Sequence, residues 1–282
     1  MNYQCVICHV NALQKRLDKF EIAEKHRIKI IGGILKDIAK TDLENSYSPE
    51  ITRNIIARLK EFSIVGDPYQ KEKDDSKRQL LNRYEEFRNR IETSSHPFDT
   101  ALRLAIAGNI IDFGPTDQFD VEYTIQQVLN GKFSTDHSQQ LKTQIEKAKT
   151  ILYLGDNAGE IVLDKLFPET IDHPNVYFSV REKPILNDAT IKEAQEVGIY
   201  KFAKIISNGD DALSTLLHRV SSEFLEIYVT ADLIISKGMG NYEGLMDETD
   251  SRLFFLLMIK CEVIGEKIGA KKGDFVVKQN QP

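Results

Sequence analysis

The stretch Thr150-Ile151-Leu152-Tyr153-Leu154-Gly155-Asp156-Asn157-Ala158-Gly159-Glu160 decides the fold. A short apolar run ends in a turn where two glycines bracket an acid and an amide. Apolar residues then recur at helical spacing from Gly159 to Leu166. Strand, turn and helix in this order form the first part of a βαβ unit. The alternation continues downstream. Val176 to Val180 reads as a strand, Ala189 to Val197 as a helix, and Lys204 to Ser207 as a third strand. A helix near Leu213 to Ala231 precedes a strand at Leu233 to Ser236, and Leu253 to Ile259 and Phe275 to Val277 complete the set. The pattern predicts an α/β fold with a mostly parallel sheet and helices on both faces.

Upstream of residue 150 the character changes. Leu13, Leu17 and Phe20 form one helical stripe, and Ile28, Ile31, Leu35 and Ile38 form another. Ser48-Pro49 reads as an N-cap followed by proline at the first helical position, opening a helix that bears Ile51, Ile55 and Leu59. One charged helix is expected across Lys73 to Glu92, with Leu80, Tyr84, Phe87 and Ile91 inward. Shorter helices should cover Phe98 to Ile111, Val121 to Leu129 and Ser138 to Ala148. Residues 1–149 therefore read as an all-helical region and 150–282 as the α/β core. No Gly/Ser/Pro linker divides them.

Composition narrows the function classes. The chain has 282 residues, 41% hydrophobic and 28% charged, which suits a globular protein with a core. A net charge of −6 argues against a broad nucleic-acid-binding face. The apolar runs are too short to span a membrane. The start, Met-Asn-Tyr-Gln-Cys, lacks a basic and an apolar signal region, and the three cysteines are an odd number. The expectation is a cytoplasmic protein without a disulfide framework.

In an open parallel sheet, ligands bind outside the carboxyl ends of the strands. In the first such loop, Asp156 and Asn157 offer a carboxylate and an amide oxygen, a hard-cation set suited to Mg²⁺ or Mn²⁺. The same pair also fits a helix cap and a turn. In the second, Arg181-Glu182-Lys183-Pro184-Ile185-Leu186-Asn187-Asp188, the last residue reads as a ligand or as an ordinary N-cap, and Arg181 as a bidentate phosphate partner or a solvated arginine. The third, Lys237-Gly238-Met239-Gly240-Asn241-Tyr242-Glu243-Gly244, has glycines that would let backbone amides approach an anion. Lys260-Cys261 follows the strand Leu253 to Ile259 and could reach the same crevice. Cys5-Val6-Ile7-Cys8-His9 has the spacing of half a zinc site, to which Cys261 and His9 could add ligands, or of buried reduced thiols.

Together these loops resemble the damage-control phosphatase family, first catalogued as domain of unknown function 89. The matching pieces are Asp156 to Glu160, Arg181 to Asp188 and Lys237 to Gly244, with Asp67-Pro68-Tyr69, Gly108-Asn109-Ile110-Ile111-Asp112-Phe113 and Lys260-Cys261. The pair Cys5 and Cys8, with Lys260-Cys261, looks like the prokaryotic branch with an N-terminal CxxC. The resemblance spans nearly the whole chain. It implies a helical N-terminal region on a Rossmann-like three-layer α/β/α core, and one divalent cation (Mg²⁺, Mn²⁺, Co²⁺ or Ni²⁺) on Asp156, Asn157 and Asp188. It also implies hydrolysis of small phosphate monoesters, such as sugar phosphates or damaged phospho-metabolites. On this reading Asp156, Lys237 and Lys260 carry catalysis, and Asn109, Asp112, Glu160, Arg181 and Asn241 shape the substrate pocket. Cys5, Cys8 and Cys261 stand as a second metal or redox group. Two other readings are an S-adenosylmethionine-dependent methyltransferase, with Glu182 on ribose hydroxyls, and a non-catalytic metal- or metabolite-sensing module.

Overall fold

A computed structural model of the chain describes residues 1–111 and 121–281. Seven strands form one sheet: β1 (Phe133–Asp136), β2 (Ile151–Leu154), β3 (Val176–Val180), β4 (Lys204–Ser207), β5 (Leu233–Lys237), β6 (Leu253–Met258) and β7 (Phe275–Gln279). The order is β1-β7-β6-β5-β2-β3-β4, and every pairing is parallel except the antiparallel β6–β7. The central strands are continuous apolar runs because both faces are covered, as parallel sheets require. Alternation along each strand separates two cores. Ile151, Tyr153, Phe178, Ile235, Phe254 and Leu256 pack to one side. Leu152, Leu154, Ile234, Phe255 and Leu257 pack to the other, against the Ser222–Thr230, Gly238–Leu245 and Glu262–Ile268 helices. β4, half-exposed and starting at Lys204, closes one edge.

The region before residue 150 is not all-helical. β1 lies within it and joins the sheet edge through β7, so the sheet begins earlier in the chain than the alternation suggested. Four residues, Phe-Ser-Thr-Asp, carry too little β-branched or alternating signal to announce a strand. The remaining early elements are helices, and a third core gathers Leu13, Leu17, Phe20, Ile30, Ile34, Ile51, Ile55 and Leu59. The second stripe is rotated from the expected one. Ile30, Ile34 and Ile38 are buried on the Glu24–Lys40 helix, while Ile28 is 79% exposed and Leu35 is 43% exposed. Six isoleucines and leucines on this helix permit both stripes, and packing against the Ser48–Lys60 helix selects one. The Lys73 to Glu92 segment is two helices, Gln70–Leu81 and Tyr84–Glu92, whose predicted inward residues are buried. Ser48 is itself helical. The cap is Tyr47, whose N–H donates to the Glu50 carboxylate at 3.4 Å.

β2 leads to β3 and β4 on one side, while β5 and β6 lie on the other. The carboxyl ends of β2 and β5 therefore flank a topological switch point, where the Asp156 loop and the Lys237 loop meet. No described helix is long and apolar enough to cross a membrane.

Candidate active site

Two loops are zipped together at this point. Ala189 N donates to Asp156 O and Ala158 N to Asn187 O, each at 2.8 Å, and Asn157 and Asp188 form an antiparallel bridge. The backbone thus brings Asp156, Asn157 and Asp188 to one place from segments about 30 residues apart, the separation a βαβ unit needs. All three are nearly buried, at 7%, 6% and 2% exposure.

Gly238 shapes the other wall. It sits at φ +77°, and a Cβ there would lie 1.9 Å from Asp156 Oδ2, so only glycine lets the β5 loop close on this carboxylate. Asn109, at the end of the Pro97–Ile111 helix, donates through Nδ2 to Asp156 Oδ2 at 3.2 Å and to Glu160 Oε2 at 2.9 Å. Its Oδ1 is buried without a hydrogen-bond partner. Asn157 Nδ2 donates to the same two acceptors, Asp156 Oδ2 at 3.2 Å and Glu160 Oε2 at 3.0 Å.

Arg181 braces the acids. Its Nε donates to Asp188 Oδ2 at 2.7 Å, its Nη2 donates to Asn241 Oδ1 at 3.1 Å, and Nη2 lies 3.8 Å from Asp156 Oδ1. Lys237 is fully buried and donates to Ala105 O at 2.8 Å, to Glu160 Oε1 at 2.5 Å and to Asp164 Oδ1. Four buried carboxylates, Asp156, Glu160, Asp164 and Asp188, are thus ion-paired here by two cations. Burial, then repulsion by Asp188 and Glu160, holds the Asp156 carboxyl well above the usual range, while Arg181 and Lys260 pull it down. Burial likewise raises Asp188 against the opposing Arg181. An oxygen-rich, acid-excess site with an orphaned amide oxygen suits a hard divalent cation.

The expected residues divide by what they touch. Asn109, Glu160 and Arg181 stand with Asp156, Asn157 and Asp188. Lys260, half-buried past the end of β6, is near enough to act on Asp156. Lys237 and Asn241 are present, but their polar atoms are committed to protein. Asn241 Nδ2 donates to Gly155 O and Lys237 O, and its Oδ1 accepts from Arg181 and from Thr215 Oγ1. All three N–H donors of Lys237 have protein acceptors in this arrangement. Asp112 lies outside the described residues.

The cysteine group is not gathered as a metal site. Among the described residues, no three His, Cys, Asp or Glu side chains are placed to hold one ion. Cys8 is exposed, and Cys5 and Cys261 are half-buried. Burial, then Glu243 and Cys261, raises the Cys5 thiol, the opposite of what an activated thiolate needs. His9 is corrected to a structural role: its Nε2 meets Ser48 Oγ at 3.2 Å and its Nδ1 meets Thr52 Oγ1 at 3.3 Å.

Sequence reading missed Asp164 and Tyr153, whose side chains complete the buried group beneath the site: Tyr153 OH donates to Asp164 Oδ1 at 2.8 Å. The available signal was spacing, since Asp164 lies four residues after Glu160 on one helix face.

Residues 1–276 match the family described as the damage-control phosphatase ARMT1-like domain. A damage-control phosphatase of Pyrococcus horikoshii is 32% identical over 100% of this chain and 98% of its own length. A damage-control phosphatase of Archaeoglobus fulgidus is 32% identical over 86% of each chain. The crystal structure of a DUF89 family protein from Pyrococcus horikoshii superposes with a TM-score of 0.90 at 31% identity, covering 100% of this chain and 99% of that one.

Proposed function

Since this chain belongs to the damage-control phosphatase family with an ARMT1-like domain, we propose that it hydrolyses small phosphate monoesters, sugar phosphates or damaged phospho-metabolites, with one divalent cation at the carboxyl edge of the sheet. The observation that carries this reading is the meeting of Asp156 and Asp188 from two zipped loops in a buried site with more acids than paired cations. Asp156, Asn157 and Asp188 would hold the ion, and their oxygen ligands suit a divalent cation such as Mg²⁺, Mn²⁺, Co²⁺ or Ni²⁺. When bound, it would offset phosphoryl charge and favour attack by water.

The chain's own residues do the rest. Arg181 holds Asp188 in its rotamer through Nε and ties it to Asn241 through Nη2. Asn109 and Glu160 hold Asp156 and Asn157 in place. Lys260 supplies positive charge beside Asp156, where it would offset charge on a transferring phosphoryl group. The acids themselves are buried, Asp156 being the most exposed of them at 7%.

The test is phosphate release from a panel of sugar and cofactor phosphates with each of the four metals or with chelator. Metal-dependent release by the wild type, lost in Asp156→Ala and Asp188→Ala, is the expected result. Turnover retained in Asp156→Ala, or undiminished in chelator, contradicts the assignment.

A further inference from the structure

A chain of buried polar groups runs from the sheet to the ligand amide. Tyr153, on β2, is 1% exposed and its ring stacks on Phe178 with centroids 4.9 Å apart. Its hydroxyl donates to Asp164 Oδ1 at 2.8 Å, and the same oxygen accepts from Lys237. Lys237 donates in turn to Glu160 Oε1 at 2.5 Å, and Glu160 Oε2 accepts from Asn157 Nδ2 at 3.0 Å. Asp164, Lys237 and Glu160 are each fully buried.

The chemistry of the last link gives the chain a purpose. A carboxylate only accepts hydrogen bonds, so Glu160 takes the Nδ2 end of each amide it touches. That fixes which way Asn157 faces: Nδ2 is turned to Glu160 Oε2 and to Asp156 Oδ2, which leaves Oδ1 on the opposite side of the amide. An amide ligates a hard cation through its oxygen alone. Glu160 can enforce this orientation only while its carboxylate is held in place. Lys237 holds it by donating to Oε1, and Lys237 is itself held by a second carboxylate on its far side. Asp164 is that anion, and Tyr153 holds it to the sheet.

We propose that Tyr153 and Asp164 are positioning residues for the ligand Asn157, acting through Lys237 and Glu160. This rests on the metal reading of Asp156, Asn157 and Asp188. It assigns Lys237 to the support of the site instead of to the substrate.

The test is calorimetric titration of Mn²⁺ into the full chain, with phosphate release measured alongside. Supporting partners of metal ligands change affinity about 10–100-fold when removed, so Asp164→Asn should weaken Mn²⁺ binding about tenfold, and Tyr153→Phe by a smaller factor in the same direction. Leu163→Ala is the comparison. Leu163 is fully buried on the same short helix and outside the chain of polar groups, so this variant loosens packing without cutting the chain. Its Mn²⁺ affinity should stay within twofold of wild type.

Folded Asp164→Asn and Tyr153→Phe proteins that both bind within twofold of wild type overturn the inference. So does a Leu163→Ala protein that weakens as much as Asp164→Asn. If Asp164→Asn does not fold, Tyr153→Phe against Leu163→Ala decides by the same criterion. A wild type that binds no Mn²⁺ removes the metal reading and this inference with it. A wild type that binds Mn²⁺ but releases no phosphate, with variants weakened as stated, leaves the inference standing and overturns the phosphatase reading alone.

Discussion

Gly238 and Asp156 are packed so closely that a Cβ on the glycine would lie 1.9 Å from the carboxylate Oδ2. The contact separates two kinds of glycine in this fold. Gly269 has a similar φ of +80°, yet a Cβ there meets nothing within 4 Å. Gly269→Ala should therefore bring only left-handed backbone strain, about 1–2 kcal/mol. Gly238→Ala adds a collision with the site. It should lower the unfolding midpoint further and abolish metal-dependent turnover, while Gly269→Ala keeps turnover near wild type. Thermal melts and phosphate release on the two variants check this; equal behaviour would show that the close approach is not functional.

The acid excess predicts a trade of stability against function. Asp156 is buried with Asp188 and Glu160 acting against its ionised form. Replacing it by asparagine removes one like charge while keeping the shape. In metal-free buffer Asp156→Asn should melt at or above the wild-type temperature. Saturating Mn²⁺ at about 100 times its Kd should stabilise the wild type by about 2.7 kcal/mol and the variant by little or nothing. Melts with chelator and with Mn²⁺ read both effects. A variant that melts well below wild type in chelator yet keeps the Mn²⁺ shift would sink the argument.

Arg181 offers a sharper test of geometry than of charge. Its Nε and Nη2 serve Asp188 and Asn241 together, a fork that a lysine ammonium does not reproduce. Arg181→Lys keeps the positive charge, yet should reduce kcat/KM about tenfold or more, because the brace on a ligand is loosened. Steady-state kinetics at saturating metal measure this. An unchanged kcat/KM would mean that only charge is required.

The legible parts of this molecule are those encoded locally. The Tyr153 to Glu160 stretch announces strand, turn and helix in sequence order, so the sheet and the loop bearing Asp156 and Asn157 follow from reading along the chain. Asp188 was legible because the same rule places it at the next strand end. β1 was not, since four residues with one apolar side chain gain their strand conformation from β7, 142 positions away at Phe133 and Phe275. The roles of Lys237 and Asn241 were also hidden. Both stand beside glycines, where an anion site is the natural reading, and only the fold shows their donors turned inward onto Glu160, Asp164 and backbone carbonyls. Packing decides which apolar stripe of the Glu24–Lys40 helix is buried, and no spacing rule chooses between Ile28 and Ile30.

His9 carries the pH dependence away from the site. It is 5% exposed between the Tyr3–Asn11 and Ser48–Lys60 helices, with Ser48 and Thr52 on its two ring nitrogens. Burial, then Arg16, lowers its pKa from 6.5 to about 4. The folded state thus releases this proton more readily than the unfolded chain, and stability rises with pH wherever the unfolded state binds more protons. The His9 contribution is complete above pH 6.5, declines as pH falls through the window to about 4, and levels off below it. A shift of this size corresponds to about 3 kcal/mol across the window. His9→Gln keeps a polar group beside Ser48 and Thr52 but cannot titrate. Its denaturation free energy, measured in urea between pH 4 and 7, should fall less steeply toward acid than that of the wild type. Parallel curves for the two proteins would show that His9 is protonated without penalty and that the fold does not lower its pKa.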